Sequence, residues 1–248
     1  MTVRCVLIYL TIISVSALKL PDELPRCKRK DAKLNDCIKS AFGPWQATLA
    51  KGLPEFRTPS IAPLKIESMS IGEGTGPVKL VQNYTDVRYY YYELTTVTNL
   101  EATVTDTEFR LRLEIFAKNI TFLANYHFDG NVLTFPIVGG GKSNIVIGDV
   151  NIPMDFMGDV IERDGEKCVQ IQTVRVAFIP ATVTLNFERL FGSDDERGEI
   201  LNHILNDHAM AIFNDVKVGY EESVGQVVRE TINSIFGKVP FKDLFLDN

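Results

Sequence analysis

Hydrophobic residues recur at helical spacing near the start of the chain, between Asp31 and Lys51. Steps of three and four positions place them on one face of an amphipathic helix. They are Leu34, Ile38, Ala41, Phe42, Trp45 and Leu49. Because Gly43-Pro44 falls inside this stretch, we expect the proline to kink the helix or to start a second short one.

From about residue 64 to 187 the pattern alternates with a period of two, which is typical of strands with one buried face. The clearest alternating sets are Phe109, Leu111, Leu113 and Ile115; Ile120, Phe122, Ala124, Tyr126 and Phe128; and Val150, Ile152, Met154 and Phe156. Asp129-Gly130 and Asp164-Gly165 stand between such runs, and Asp-Gly pairs favour tight hairpin turns. The middle of the chain is therefore predicted to be an antiparallel meander.

After residues 191–195 the helical pattern returns for about 40 residues, up to Phe236, where Gly237 and Pro240 stop it. Unbroken, such a helix would be about 60 Å long. Its apolar stripe drifts, since an early group and a later group lie on different sides: Ile200, Leu201, Ile204, Leu205 and Ile212, then Val224, Val227, Val228, Thr231 and Ile235. We expect either a bend at Gly219 or a curved sheet that wraps around the helix.

The composition is that of a globular protein, because 45% of the 248 residues are apolar and 23% are charged, which excludes disordered and collagen-like chains. The formal net charge is −6. The basic residues form no long cluster that could follow a phosphate backbone, so nucleic-acid binding is disfavoured.

Residues 1–17 have the pattern of a secretory signal peptide: Arg4, an apolar run of about a dozen residues and the small-residue exit Ser16-Ala17. A membrane anchor is the alternative, but the run is shorter than the roughly 20 residues that span a bilayer. Residues 18–248 are then predicted to form one secreted domain.

Three cysteines follow the signal peptide. Cys27 and Cys37 are close in sequence and are the natural disulfide pair in an oxidising compartment. Cys168 lies in an alternating stretch and is predicted to be a buried thiol, with an intermolecular bridge as the alternative. The triplets that begin at Asn83 and Asn119 are acceptors for N-glycosylation and fit secretion.

Motifs for phosphate binding and catalysis are incomplete. Residues 136–143 resemble a phosphate-binding loop from Gly141 onward, but Pro136 stands where the first glycine is required, so we interpret them as a glycine-rich strand connection. Another group of glycines lacks dinucleotide spacing and indicates a turn: Gly72, Gly74 and Gly76. The histidines form no metal-binding pattern: His127, His203 and His208. We expect no catalytic residues, no metal and no cofactor.

Several segments together resemble one known family. Near the start these are Leu20-Pro21, Leu24-Pro25, the Cys27 to Cys37 spacing with Asp31 between them, Lys51-Gly52-Leu53-Pro54-Glu55 and Pro59-Ser60-Ile61-Ala62-Pro63-Leu64. Later they are Leu133-Thr134-Phe135-Pro136-Ile137-Val138-Gly139-Gly140-Gly141, Leu190-Phe191-Gly192, Gly198-Glu199-Ile200-Leu201-Asn202 and Ile204-Leu205-Asn206. The combination is similar to the insect takeout and haemolymph juvenile-hormone-binding proteins over essentially the whole mature chain.

This resemblance implies an α+β fold in which a highly curved antiparallel sheet wraps a long C-terminal helix and, with a short N-terminal helix, encloses an apolar tunnel. It implies a secreted, non-catalytic carrier of a juvenile-hormone-like terpenoid, a fatty acid or a related lipid. The chain departs from the family at residues 89–92, where four tyrosines replace a glycine-centred turn, and at Arg197, where leucine is common. With only three mature cysteines, the second disulfide of the hormone carriers cannot form in the same way.

Candidate ligand contacts come from the buried faces of the strands and the terminal helix: Phe122, Tyr126, Phe128, Phe135, Ile204, Ile212, Phe213 and Val216. Ordinary core packing is the alternative for each of them. We expect a monomer with a small hydrophobic ligand and no stable membrane insertion. One rival function is a module that recognises membrane or microbial lipid through an exposed edge at residues 88–92. Another is an enzyme with a dispersed site, which a perturbed carboxylate or histidine in a cleft would favour.

Overall fold

The computed structural model describes residues 18–163, 165–192 and 195–247. The predicted signal peptide and Asp164 lie outside these ranges. The strands are β1 (Cys27–Lys28), β2 (Leu64–Ile71), β3 (Val78–Tyr90), β4 (Thr96–Val104), β5 (Glu108–Val132), β6 (Phe135–Arg163), β7 (Glu166–Val176), β8 (Thr182–Phe187) and β9 (Phe245–Leu246). The helices are α1 (Leu34–Lys51), α2 (Asp195–Asp207), α3 (Ala209–Phe236) and α4 (Phe241–Leu244), with 3-10 turns at Pro54–Phe56 and Tyr92–Leu94.

Two very long strands organise the fold. β5 has 25 residues and β6 has 29, and they pair with each other along almost their whole length. Each is long enough to pair with two further strands: β5 with β4 and then β3, and β6 with β8 and then β7. Strands of this length accumulate twist, so the sheet curls. The predicted α+β class is confirmed, with a curled antiparallel sheet and a long C-terminal helix.

The buried face of β5 changes parity near its middle. Odd-numbered residues face inward from Phe109 to Ala117, all of them buried except the half-buried Leu111, and even-numbered residues are buried from Ile120 to Phe128. The change occurs at Lys118, whose ammonium lies 2.6 Å from the carboxylate of Asp149 on β6, a residue with φ +45°. Because β6 changes its buried face at the same place, two of the alternating sets in the sequence belong to one continuous strand.

Two glycine-containing segments differ from their predicted roles. Asp129-Gly130 lies inside β5, where a Cβ on Gly130 would meet the Lys79 carbonyl oxygen at 2.5 Å, so the predicted hairpin turn there is wrong. The turn lies instead between Val132 and Phe135, with Leu133 at φ +56°. At the second predicted hairpin, Gly165 has φ +80° and β6 pairs with β7 on either side of it.

The glycine run at residues 139–141 is part of β6 and not a connection between strands, which corrects that interpretation. A Cβ at Gly139 would lie 2.6 Å from the Arg189 carbonyl oxygen, and one at Gly141 would lie 2.5 Å from the Glu188 carbonyl oxygen. These glycines therefore allow the chain after β8 to cross close to the sheet.

One helix, α1, runs through Pro44, so the alternative of a second short helix is wrong. Gly43 and Pro44 are both exposed. The carbonyl group that Pro44 leaves without a backbone donor is therefore near solvent, where water can satisfy it.

The C-terminal helical run is divided at His208 and not at Gly219, where a bend was one of the two alternatives we expected. Gly219 lies within α3, and a Cβ there would meet Ile71 Cγ2 at 2.5 Å. The glycine therefore permits close packing of α3 on β2. α3 also packs against β3, β7 and β8, so the curled sheet surrounds it as the drifting stripe predicts.

Asparagine side chains on the helices replace the missing strand partners at the sheet edges. In each case the amide nitrogen donates to a strand carbonyl and the amide oxygen accepts from the N–H of the same residue, at 2.7–3.0 Å. The pairs are Asn202 with Phe187, Asn206 with Leu185 and Asn233 with Ile171. Edge groups that would otherwise lack partners are thereby satisfied.

The two ends of the described chain are joined. β1 and β9 pair in parallel, and the predicted disulfide Cys27–Cys37 is confirmed, with a Cα–Cα distance of 5.8 Å. The Arg29 guanidinium contacts the carboxylates of Asp106 and Asp247 at 2.7 and 2.5 Å. Although burial lowers the pKa of Arg29, its hydrogen bonds to these carboxylates raise it above its ordinary value.

Candidate functional site

A cavity of about 240 Å³ lies between α1, the C-terminal part of α3 and one half of the curled sheet. Its walls are formed by the N-terminal segment, α1, strands of the sheet, α3 and the C-terminal segment. The lining residues are Pro25, Cys27, Ile38, Ala41, Phe42, Trp45, Gln46, Leu49, Ile61, Leu64, Tyr92, Thr95, Phe109, Leu111, Leu113, Ile115, Met154, Phe156, Val228, Thr231, Ile232, Phe236, Leu244 and Phe245.

The helix α1 supplies the side of the cavity opposite the sheet. Its apolar face is large, but only Leu34 and Ala41 on it are fully buried. Phe42, Trp45 and Leu49 are only partly buried and line the cavity. Bulky apolar side chains on the inner face of a helix normally pack completely. These three side chains are incompletely buried because they border the cavity.

The opposite wall consists of the odd-numbered residues in the first half of β5, together with Met154 and Phe156 of β6. The end of the cavity is closed by the joined termini, since Cys27, Leu244 and Phe245 also line it. The disulfide and the β1–β9 pairing hold this end together.

The cavity lining contains few polar groups, and those of Gln46, Tyr92 and Thr95 are joined by hydrogen bonds. The Gln46 amide nitrogen donates to the Thr95 hydroxyl at 2.7 Å and to the Tyr92 carbonyl at 3.2 Å. The Thr95 hydroxyl donates to the same carbonyl at 3.1 Å. Burial raises the pKa of the Tyr92 phenol well above its ordinary value. No carboxylate, histidine, lysine or arginine occurs among the described residues that line the cavity.

The other half of the sheet interior is filled by aromatic rings. Tyr84 lies edge-on to Phe122 and Phe128, with ring centroids 5.0 and 5.5 Å away, and Tyr220 of α3 is 5.6 Å from Phe122. The hydroxyls of Tyr84 and Tyr220 are 2.7 Å apart, and each lies 2.9 Å from Gln82 Oε1. Burial raises the pKa of both phenols. The aromatic cluster is the name we give to seven residues: Tyr84, Phe122, Tyr126, Phe128, Phe187, Phe213 and Tyr220.

The sequence-predicted ligand contacts lie outside the cavity lining. Four of them, Phe122, Tyr126, Phe128 and Phe213, come together in the aromatic cluster. The Tyr126 hydroxyl donates to the Glu188 carbonyl at 2.6 Å, and burial raises its pKa to about 12. The remaining four are placed separately: Ile212 and Val216 are buried on α3, Ile204 is half-buried on α2 and Phe135 is exposed at a hairpin. Ligand contact by these eight residues stays a prediction.

The sequence indicated many of the lining residues as buried faces but did not mark them as a site. The α1 stripe and the first alternating set of β5 contribute nine of the lining residues. Spacing identifies which face of an element turns inward, but it carries no information on whether atoms fill the space opposite.

The four tyrosines at residues 89–92 do not form an exposed edge. Tyr89 and Tyr92 are buried, and Tyr90 is half-buried. Only Tyr91, at 47% exposure, and the nearby Leu94, at 67%, present large apolar surface. The edge that would have supported a membrane-recognition module is therefore reduced to two side chains.

Other candidate sites have different character. A polar groove of about 390 Å³ on the outer sheet surface is lined mainly by amide and charged side chains of both signs, including Arg88, Lys142 and Glu188. Within the described ranges, no cluster of three or more metal-ligating side chains occurs. Asn83 and Asn119 are both exposed, whereas Cys168 is a buried free thiol in β7.

In the described part of the chain, no helix combines the length and the apolar character needed to cross a bilayer. The 28-residue helix α3 packs its buried face on the sheet.

Comparison with known proteins gives concordant results. The family model described as haemolymph juvenile hormone binding protein matches residues 5–246. The circadian clock-controlled protein daywake of Drosophila melanogaster is 22% identical over 231 residues, which cover 91% of this chain and 88% of that protein, and daywake of Drosophila yakuba gives the same values. The crystal structure of Epiphyas postvittana Takeout 1 superposes with a TM-score of 0.77 at 16% identity, covering 90% of this chain and 99% of that one.

Proposed function

Because the chain belongs to the haemolymph juvenile hormone binding protein family, we propose that it is a secreted carrier that holds one small lipophilic molecule in the cavity beneath α1. The observation that carries this proposal is the cavity itself: about 240 Å³ of space with an almost wholly apolar lining. Apolar cavities of comparable size remain dry and accept apolar guests. A terpenoid, fatty acid or related lipid would fill this space.

The aromatic cluster supplies a boundary for the ligand. Tyr89 pairs with the cavity-lining Leu64 on β2 and with Phe122 on β5, and its ring centroid is 5.2 Å from that of Phe122. We propose that the aromatic cluster closes the inner end of the cavity, so that the predicted contact Phe122 limits ligand length. Affinity then rises by about 0.8 kcal/mol per buried methylene until the chain reaches this boundary.

Trp45 provides a direct test, because it is the single tryptophan of the chain and lines the cavity. Protein freed of lipid by solvent extraction is titrated with alcohols from hexanol to hexadecanol while tryptophan emission is recorded. We expect saturable changes in emission, with affinity that increases with chain length and then stops increasing. If no alcohol, terpenoid or fatty acid is retained by native mass spectrometry while the fold stays intact, the carrier function is refuted.

Secretion and glycosylation belong to the same proposal. The Cys27–Cys37 disulfide and the family description support an extracellular fluid as the compartment. Expression in insect cells with the native N-terminus should yield protein in the medium that begins after Ala17. A mass decrease on treatment with a peptide N-glycosidase, absent in the Asn83→Gln and Asn119→Gln double variant, tests both acceptor sites.

A further inference from the structure

The polar part of the cavity wall includes a group that packing does not satisfy. Tyr92 lines the cavity and is only 8% exposed, and its hydroxyl has no hydrogen-bond partner among the described residues. A buried hydroxyl without a partner is unfavourable relative to one that is bonded or absent. In native proteins such groups are commonly satisfied by an ordered water or a ligand.

Gln46 stands beside Tyr92 with half of its hydrogen-bonding capacity in use. Its amide nitrogen is held by Thr95 and by the Tyr92 carbonyl, which fixes the orientation of the side chain. Its amide oxygen accepts no hydrogen bond from a described residue. The pair therefore offers one hydroxyl that can donate and accept, and one oxygen that can accept.

The electrostatic character of the wall restricts the ligand further. The described lining residues include no cationic side chain that could balance a carboxylate. Burying an unpaired anion is strongly unfavourable.

We propose that Tyr92 and Gln46 anchor the polar end of the ligand, and that this ligand is a neutral lipid with a hydroxyl or carbonyl oxygen and not a fatty-acid anion. The Tyr92 hydroxyl donates to the ligand oxygen, and Gln46 Oε1 accepts the proton of an alcohol. The rest of the ligand occupies the apolar space towards Phe109 and Phe245. This assignment rests on the proposed carrier function.

The test compares four probes of equal chain length, decanol, methyl decanoate, decane and decanoate at neutral pH, on delipidated protein. We expect decanol and methyl decanoate to bind more tightly than decane, and decanoate to bind most weakly. The Tyr92→Phe variant should lose about three- to tenfold in affinity for decanol, the worth of one hydrogen bond, while its affinity for decane is unchanged.

Tyr89→Phe is the matched control. The Tyr89 hydroxyl is also buried without a described partner, but Tyr89 does not line the cavity. Neither variant should lower the thermal stability of the delipidated protein, because each removes a buried hydroxyl that has no described partner. Only Tyr92→Phe should change the ratio of decanol to decane affinity.

The outcomes separate the two proposals. If decane and decanol bind equally and Tyr92→Phe changes neither, the anchor is wrong and the carrier stands. Tight decanoate binding would also overturn the anchor, since it requires a cationic partner. If the wild-type protein binds none of the four probes, both the anchor and the carrier fail.

Discussion

Filling the cavity from the protein side should stabilise the fold and reduce ligand binding together. Ala41 is the suitable position because it is buried on α1 and lines the cavity. In the substitution Ala41→Leu, roughly three additional carbon groups enter the cavity, and at about 0.8 kcal/mol each they contribute about 2 kcal/mol.

Ala41 borders a cavity of about 240 Å³, which leaves room for three more carbon groups. We therefore expect Ala41→Leu to raise the free energy of unfolding of the delipidated protein by about 1–2 kcal/mol.

The same substitution should weaken the best wild-type alcohol by about 2 kcal/mol, or roughly 30-fold, and should shift the preferred chain length down by about three carbons. Chemical denaturation followed by circular dichroism measures the first effect, and Trp45 fluorescence titration measures the second. Ala47→Leu is the matched control, because Ala47 is exposed on α1 and lies outside the cavity lining. Destabilisation by Ala41→Leu with no change in the preferred chain length would refute the reasoning, since it would mean that the position is fully packed.

Further predictions concern the contacts that hold the helices to the sheet. Asn206→Ala leaves the N–H and the carbonyl of Leu185 without their helix partner, so we expect a loss of about 2–4 kcal/mol in the free energy of unfolding by urea denaturation; a loss below about 0.5 kcal/mol would contradict the role given to this amide. The Asp215 carboxylate accepts from the N–H groups of Gly76 and Val78 at 2.7 and 2.9 Å; although burial raises its pKa, these hydrogen bonds lower it below the ordinary value. Its stabilising contribution is therefore full above the ordinary aspartate pKa and is lost as pH falls through the lower folded-state value. Asp215→Asn should cost about 1–2 kcal/mol at neutral pH, and the difference from wild type should shrink in acid, as measured by denaturation at a series of pH values.

The sequence pattern was sufficient to identify the buried faces of the strands and helices, because these depend on local periodicity, whereas the fold class followed from the family resemblance. Alternation at residues 109–115 and 150–156 correctly marked inward-facing side chains on β5 and β6. The short separation of Cys27 and Cys37 likewise predicted their disulfide. The alternation requires only that every second residue along one strand points in the same direction, whereas the disulfide follows from the short separation of its two cysteines.

The same pattern did not show where one strand continues and where it ends. The opposite parity of the sets before and after Lys118 resembled two strands, because the irregularity that joins them depends on Asp149 in the partner strand. Asp129-Gly130 has the composition of a turn, but pairing with Leu80 on β3 and Ile137 on β6 keeps it inside a strand. Tertiary pairing overrides local turn preference here.

The position of the cavity depends on which element covers each half of one sheet. Leu113 and Phe122 lie on the same strand and are both buried, so their sequence patterns are equivalent. Opposite Phe122, α3 brings Tyr220 into ring contact, and a hydrogen-bonded aromatic cluster fills the space. Opposite Leu113 lies the cavity, whose far side is α1, attached to the chain start by the Cys27–Cys37 disulfide. An unfilled space is a property of the pair of surfaces and of neither one alone, so measurements that fill it from one side, as Ala41→Leu does, are the appropriate test of function.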